Sequence, residues 1–311
     1  MSFIIIQLPP GDFLTSYIAQ LRASGTDVSE ETIQSLIQLY GLDQPLHIQY
    51  FRWIGNIITK GDFGRSFQWN KPVAEVIGER LSLTIAISLL TMLFTWVVAI
   101  PIGIYSATHQ YSIFDYVFTF VGFIGISVPG FLLALIILWV SHSYLGLTIT
   151  GLFSPEFVAS PWSLAKILDM FKRIWVPVVI IGLSGTAGLI RVMRATLLDE
   201  LKKQYVTTAR AKGVPERTLL FKYPVRMAIN PLISTIGWML PSIISGETLV
   251  SIVLNLQTTG PVLLRATMCQ DMYLAGSFIL ILSALTLTGT LISDILLAWV
   301  DPRIRYGGVS E

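Results

Sequence analysis

The 311 residues are 53% hydrophobic and only 13% charged, with a formal net charge of +2 and a mean hydropathy of +0.68. About a quarter of the residues of soluble domains are charged, so a water-soluble globular protein is excluded and the chain reads as a membrane protein. Cys269 is the only cysteine, which excludes an intramolecular disulfide and a cysteine metal cluster.

The chain opens on "MSFIIIQLPPGD", an apolar run too short to span a bilayer and without the basic start of a signal peptide. Residues 1–8 therefore read as the remnant of a first transmembrane helix. Residues 9–80 are polar but periodic, which predicts a folded helical subdomain. Ser29 suits an N-cap with Glu30 and Glu31 in the first turn, Ile33, Leu36, Ile37 and Tyr40 share a face, and Gly41 can close that helix. A second helix is expected from Pro45, with Leu46, Tyr50, Trp53 and Ile57 on one side, before the Gly-punctuated turn "KGDFGRSF".

Five apolar runs follow, each of about the 20 residues that a span of hydrocarbon requires. Runs 81–110, 116–153 and 174–190 carry no charge, while 231–253 and 275–300 carry one carboxylate each, Glu247 and Asp294. Pro129, with Gly125 and Gly130, is expected to break the second of these helices, and Ser184 with Gly188 to give the next a small-residue packing face. A buried intramembrane charge is costly unless paired or hydrated. Glu247, after Ser245 and Gly246, is read either as lining a substrate path or as a structural polar contact. Asp294 is read as structural, within reach of Arg303 or Arg305.

Between residues 191 and 231 lie Arg191, Arg194, Lys202, Lys203, Arg210, Lys212, Arg217, Lys222 and Arg226, opposed by Asp199, Glu200 and Glu216. By the positive-inside rule this loop is cytoplasmic, which places 9–80 and 141–173 outside and the C-terminal "DPRIRYGG" inside. Within the loop, Leu197, Leu201, Tyr205 and Ala209 recur every fourth residue and predict one helix face. Gly213 and the Val214–Pro215 pair end that helix, and a second is expected from Pro215 with Leu219, Leu220, Tyr223 and Met227 on one face. A helix, a Gly-centred turn and a helix suit a peg presented to a partner; a lipid-facing basic loop is the plainer alternative.

The stretch "YVTTARAKG" decides between them, because it resembles the conserved cytoplasmic loop of permease subunits of ATP-binding-cassette importers, in the form usual in the dipeptide/oligopeptide branch. "YGLDQPLHIQY", "GDFGRSF", "PVAEVIGERLSLTIAIS", "SVPGF" and "DPRIRYG" resemble that branch too, and in its order. The resemblance implies an all-α polytopic membrane protein with five full transmembrane helices, the remnant of a first one (1–8), an external helical subdomain (9–80) and a permease core (81–311) with its coupling loop at 194–230. It implies half of a translocation path for peptides or a related solute such as an oligosaccharide or nickel chelate. The implied partners are a second homologous permease in a heterodimer, two cytoplasmic ATPase subunits and an external solute-binding protein, in the inner membrane of a prokaryote, with no nucleic acid and no cofactor. Tyr205, Thr207, Thr208, Ala209, Arg210, Ala211, Lys212 and Gly213 would form the coupling segment that enters a groove of the ATPase. Glu247 and Ser251 are the candidates for the path, and the family's first span would begin upstream of Met1.

The sequence departs from the pattern at several points. Thr207 replaces the acidic residue of the general motif, Val225–Arg226 its closing Leu-Pro, and Tyr223 and Met227 a frequent His and Asn. Ser251 stands where many members have Glu, and "LQTTGP" replaces a Trp-Pro-Gly-like stretch. There is no phosphate-binding loop of the Gly-x-x-x-x-Gly-Lys-Ser/Thr type, so ATP hydrolysis is assigned to a separate chain and the permease is not expected to be an enzyme. His47, His109 and His142 fit no metal motif. The remaining alternatives are an ATP-independent secondary transporter using Glu247 as an ion or proton site, and a membrane anchor that transports nothing.

Overall fold

The computed structural model describes residue 34 and residues 44–147, 149–158, 160–237, 239 and 248–300. Residues 1–8, the helix expected over 29–41 apart from Gln34, Glu247, Arg303 and Arg305 lie outside the described residues. In chain order the described helices are α1 (Leu46–Lys60), α2 (Val73–Thr108), α3 (Ile113–Ser127), α4 (Gly130–Leu145), α5 (Pro155–Val158), α6 (Leu164–Leu201), α7 (Gln204–Ala211), α8 (Glu216–Lys222), α9 (Pro224–Ala228), α10 (Asn230–Ser234), α11 (Thr248–Val253), α12 (Thr259–Met268) and α13 (Met272–Val300). The described residues hold one isolated antiparallel bridge, Arg65 with Pro72, and no strand. This is the all-α class that a lipid environment favours, since a helix satisfies its backbone polar groups internally.

α2, α6 and α13 are long and apolar enough to cross a membrane. α3 and α4 pass the same test only as a pair, bent by 102° at the break. The bend falls where Pro129 was expected to break the helix: Val128 is extended, and Pro129 begins α4 as its N-cap with φ −55° and ψ 135°. Of the fourth run, 231–253, residues 240–247 lie outside the described residues, and the parts on either side are helical, in α10, at residues 236, 237 and 239, and in α11.

The chain divides into two compact units, Met1–Leu83 with Thr258–Ser283, and Thr84–Gln257 with Ala284–Glu311. In the first, α1 starts behind Pro45, which caps it, and ends at Gly61, whose φ of 65° is the left-handed turn that glycine adopts freely. Its buried face is rotated from the expected one: Gln49 and Trp53 are buried, with Ile54 and Ile57 packed beside them, while Leu46 and Tyr50 face outward. Trp53 sets the rotation, since its Nε1–H donates to Phe63 O at 3.1 Å and its ring packs with Phe67 and Met272. A Cβ on Gly276 would stand 3.2 Å from that ring. The main core of this unit joins Val73, Val76 and Ile77 to Val262, Ala266, Leu274, Ala275 and Phe278. Residues 258–283 thus fold with 46–83, although the boundary read at residue 80 leaves them in the permease core.

In the second unit α2 and α6 meet at glycines. A Cβ on Gly103 would lie 2.6 Å from Met193 Cβ, and one on Gly182 would lie 2.6 Å from the Phe94 ring. The expected small-residue face at Ser184 and Gly188 is instead exposed, with nothing within 4 Å of a Gly188 Cβ. The core here gathers Ala99, Leu189, Met193, Leu197, Val225, Ala228 and Leu232, which fastens the end of α6 to the returning chain of α9 and α10.

Candidate functional site

The basic loop folds on a small core of its own. Val206 and Leu219 are fully buried against Ala209, with Tyr205, Val214 and Tyr223 packed around them. Burying a Val and a Leu side chain stabilises by about 1.5–3 kcal/mol each, enough to hold α7 against α8 as a hairpin. Gly213 makes the turn at φ 76°, its N–H donating to Arg210 O at 3.0 Å and that of Val214 to Ala209 O at 3.3 Å. Arg210 closes the turn from outside, with Nε 2.6 Å from Glu216 Oε1 and Nη2 3.2 Å from Oε2. These hydrogen bonds from the guanidinium hold the Glu216 carboxyl below its ordinary value of 4.5, so the pair stays ionised at neutral pH.

The helix expected to run through 197–209 is interrupted. α6 ends at Leu201, Lys203 is extended, and α7 starts at Gln204. Leu197 and Leu201 pack in the core of α6, whereas Tyr205 and Ala209 pack in the core of the loop. "DELKKQ" contains no Gly or Pro to signal this, so the break reflects the packing of α7 on α8 rather than a local breaker. The second expected helix is divided too. Pro224 lacks an N–H and its ring clashes with the carbonyl four residues back, so α8 stops at Lys222 and α9 begins at Pro224.

The predicted coupling residues are brought together, but they do not share one face. Thr207, Thr208, Arg210, Ala211, Lys212 and Gly213 are exposed, Tyr205 is half-buried with its hydroxyl donating to Glu200 Oε2, and Ala209 is buried. The small residues available for close approach from outside are therefore Ala211 and Gly213, and Ala209 belongs to the loop interior. Hydrogen bonds also fasten the loop to the spans: Thr196 Oγ1 donates to Ala228 O at 3.1 Å, and Arg226 Nε to Val300 O at 3.0 Å.

Of the two path candidates, Ser251 is fully buried on α11, whose Val250 lies against Gly130 at the start of α4. Asp294 is exposed on α13.

Sequence reasoning missed two buried carboxylates. Asp115 accepts from Arg194 Nη2 at 3.0 Å and from the Tyr111 N–H at 3.1 Å, while its own N–H donates to Ser112 Oγ. The signal was present as Ser112-x-x-Asp115, a capping pattern. Asp271 accepts from Ser66 Oγ at 2.6 Å and from the Gln68 N–H at 3.2 Å, and its burial pushes the carboxyl above its ordinary value of 3.8. Its other oxygen accepts locally from the Leu274 N–H at 3.3 Å, but Ser66 and Gln68 lie some 200 residues away in sequence, and no local pattern announces them. A third feature is a stripe of buried hydroxyls on α2, Thr84, Ser88, Thr91 and Thr95, at the spacing of one helix face.

Two family descriptions cover the chain. "Binding-protein-dependent transport system inner membrane component" matches residues 99–306, and the corresponding N-terminal description, for a membrane component of the same systems, matches residues 2–88. The chain is 34% identical over 310 residues to the oligopeptide transport system permease protein AppB of Bacillus subtilis, covering 98% of this chain and 93% of that one. It is 33% identical over 288 residues to the inner membrane ABC transporter permease protein YejB of Escherichia coli O157:H7, covering 91% of this chain and 79% of that one. With the dipeptide transport system permease protein DppB of Alkalihalophilus pseudofirmus it shares 28% over 320 residues, covering 98% and 94%. Among solved structures, the inward-facing MetNI methionine ABC transporter aligns with a TM-score of 0.52 at 14% identity, over 73% of this chain and 96% of that one, a likeness of fold. Apolar spans, a basic loop folded as a hairpin between them and matches along nearly the whole sequence agree: the chain belongs to the family of inner-membrane components of binding-protein-dependent transport systems.

Proposed function

We propose that this chain is one half of the translocation path of an importer for peptides, powered by ATP hydrolysed on separate subunits. The observation that carries the substrate class is the 34% identity with an oligopeptide permease over 98% of the chain. The second half would be a homologous permease in a heterodimer, with two cytoplasmic ATPases and an external binding protein that delivers the peptide. The external subdomain around 9–80 would face that binding protein, and the loop at 194–230 and the C-terminus would lie in the cytoplasm.

In this reading residues 205–213 are the coupling segment. Thr207, Thr208, Ala211, Lys212 and Gly213 offer the outward surface, Arg210 holds the turn, and Tyr205 and Ala209 support it from inside. The exposed Lys and Arg of the loop suit acidic groups on an ATPase. Glu247 and Ser251 remain the proposed path residues, with Ser251 needing a change of helix packing to meet a substrate.

The test is uptake of a labelled di- or oligopeptide into proteoliposomes holding the complete complex and its binding protein. Uptake that requires ATP and persists with an uncoupler is expected. Uptake that proceeds without nucleotide and collapses with an uncoupler would instead establish the ion-driven alternative.

A further inference from the structure

α3 lies antiparallel on α6 along one face. Gly125 meets the Leu183 carbonyl, Gly122 meets Ala187, Phe123 lies under Arg191 with the guanidinium 5.3 Å from the ring centre, and Asp115 meets Arg194 at 3.0 Å. From Gly125 back to Asp115 and from Leu183 on to Arg194 are about 15 and 16 Å at 1.5 Å per residue, so the two helices keep register along the whole contact. The small residues bring the backbones close, and the ion pair closes the end nearest the basic loop. Asp115 is held from two further sides, by the Tyr111 N–H and through its own N–H on Ser112 Oγ, with Tyr111 at φ 63°. Only 4% of its side chain is exposed, against 33% for Arg194.

Beyond Arg194, α6 runs unbroken to Leu201, and Met193 and Leu197 are fully buried against Val225, Ala228 and Leu232 on the returning chain. Movement of the basic loop must therefore move the end of α6. The other end of α3 is the 102° break at Val128–Pro129, after which α4 packs on α11. Hinges are a few terminal or loop residues that absorb backbone rotation between stiffer elements, and this break has that form.

We propose that Asp115 and Arg194 are positioning residues that act as a strut. The pair ties the start of α3 to α6 next to the loop, so that α3 travels with α6 and the rotation is taken up at Val128–Pro129, shifting α4 and α11. The proposal rests on the transport reading above and adds residues that touch neither peptide nor ATPase.

The variants are Asp115→Asn and Arg194→Met, near in size and lacking one charge each, Arg194→Lys, which keeps the charge, and the exchange Asp115→Arg with Arg194→Asp. The readout is peptide taken up per ATP hydrolysed by the complete complex in proteoliposomes, beside ATPase recovery on the tagged permease. A strut predicts ATPase recovery and hydrolysis near wild type, with the ratio reduced about tenfold, the size of change set by 1.4 kcal/mol of lost coupling. Arg194→Lys should lie between, and the exchange should recover part of the ratio. An unchanged ratio in all variants overturns the proposal, as does a fall of recovery, hydrolysis and uptake in parallel, which marks a merely structural pair. Wild-type complex is measured first: if it takes up no peptide the transport reading fails, whereas wild-type uptake with an unchanged variant ratio removes the strut alone.

Discussion

Gly213 offers the sharpest test of the coupling loop because its environment separates conformation from bulk. Its φ of 76° is the left-handed region, and a Cβ there would meet no atom within 4 Å. Substitution therefore strains the backbone without filling occupied space inside the chain. A non-glycine residue in the left-handed region costs about 1–2 kcal/mol, less for Asn and more for a β-branched side chain. The competing stabilisation is the small core of Val206, Ala209 and Leu219, so a strain of this size is a substantial share of what holds the hairpin. A loss of 1–2 kcal/mol lowers the closed population by about 5- to 30-fold relative to open forms. Asn, Ala and Val at position 213 should then recover ATPase subunits in pull-downs from detergent extracts in the order Asn, Ala, Val, with wild type highest. Bulk against the partner predicts a different order, since Asn is larger than Ala and would do worse. Pairing with the sister permease should be equal in all three, as the spans are untouched. Recovery of Gly213→Val equal to wild type would falsify the assignment of the turn to ATPase docking, and Ala above Asn would show that volume rather than backbone strain governs it.

Ala211→Trp, on the exposed side of the same turn, should abolish ATPase recovery while the permease pair stays monodisperse by size exclusion; full recovery would place the ATPase contact elsewhere. Ala209→Trp should instead overpack the loop core, seen as faster proteolysis within 202–223, and resistance equal to wild type would contradict the burial of Ala209. Gly103→Leu should lower the melting temperature of the detergent-solubilised protein, because even a Cβ there would stand 2.6 Å from Met193, an overpacking cost of about 1–3 kcal/mol; an unchanged melt would show that α2 and α6 can separate freely. The raised carboxyl of Asp271 means that its folded form holds a proton more tightly than its unfolded form, so its contribution is complete below the ordinary value of 3.8 and is lost as pH rises through the higher folded value. Proteolytic resistance of the unit containing residues 46–83 and 258–283 should fall as the pH is raised from the ordinary value of 3.8 through the higher folded value, and Asp271→Asn should flatten that slope; a slope unchanged by the substitution would assign it to another group.

What the sequence made legible was whatever local chemistry decides. The spans at α2, α6 and α13 follow from apolar length, the break before α4 from Pro129, and the turn at 213 from the one residue that enters the left-handed region without penalty. What stayed hidden depends on partners far along the chain. The outward face of α1 was misjudged because Trp53, anchored to Phe63 O, rotates Gln49 inward in place of Tyr50. Ala209 was read as a docking surface because periodicity marks an apolar face without saying what covers it, and the cover proved to be Leu219 of the same loop. Asp115 and Arg194 illustrate the limit most plainly. Each was visible, one beside a helix cap and the other among nine basic residues, but 79 residues separate them and only the antiparallel register of α3 on α6 makes them a pair. In a polytopic protein the hydrophobic pattern fixes which segments enter the bilayer, and it is nearly silent on how they face one another, because lipid and neighbouring helix are equally apolar surroundings. Polar residues at helix ends and glycines at close approaches carry that second layer of information, and here both lie along the contact between α3 and α6.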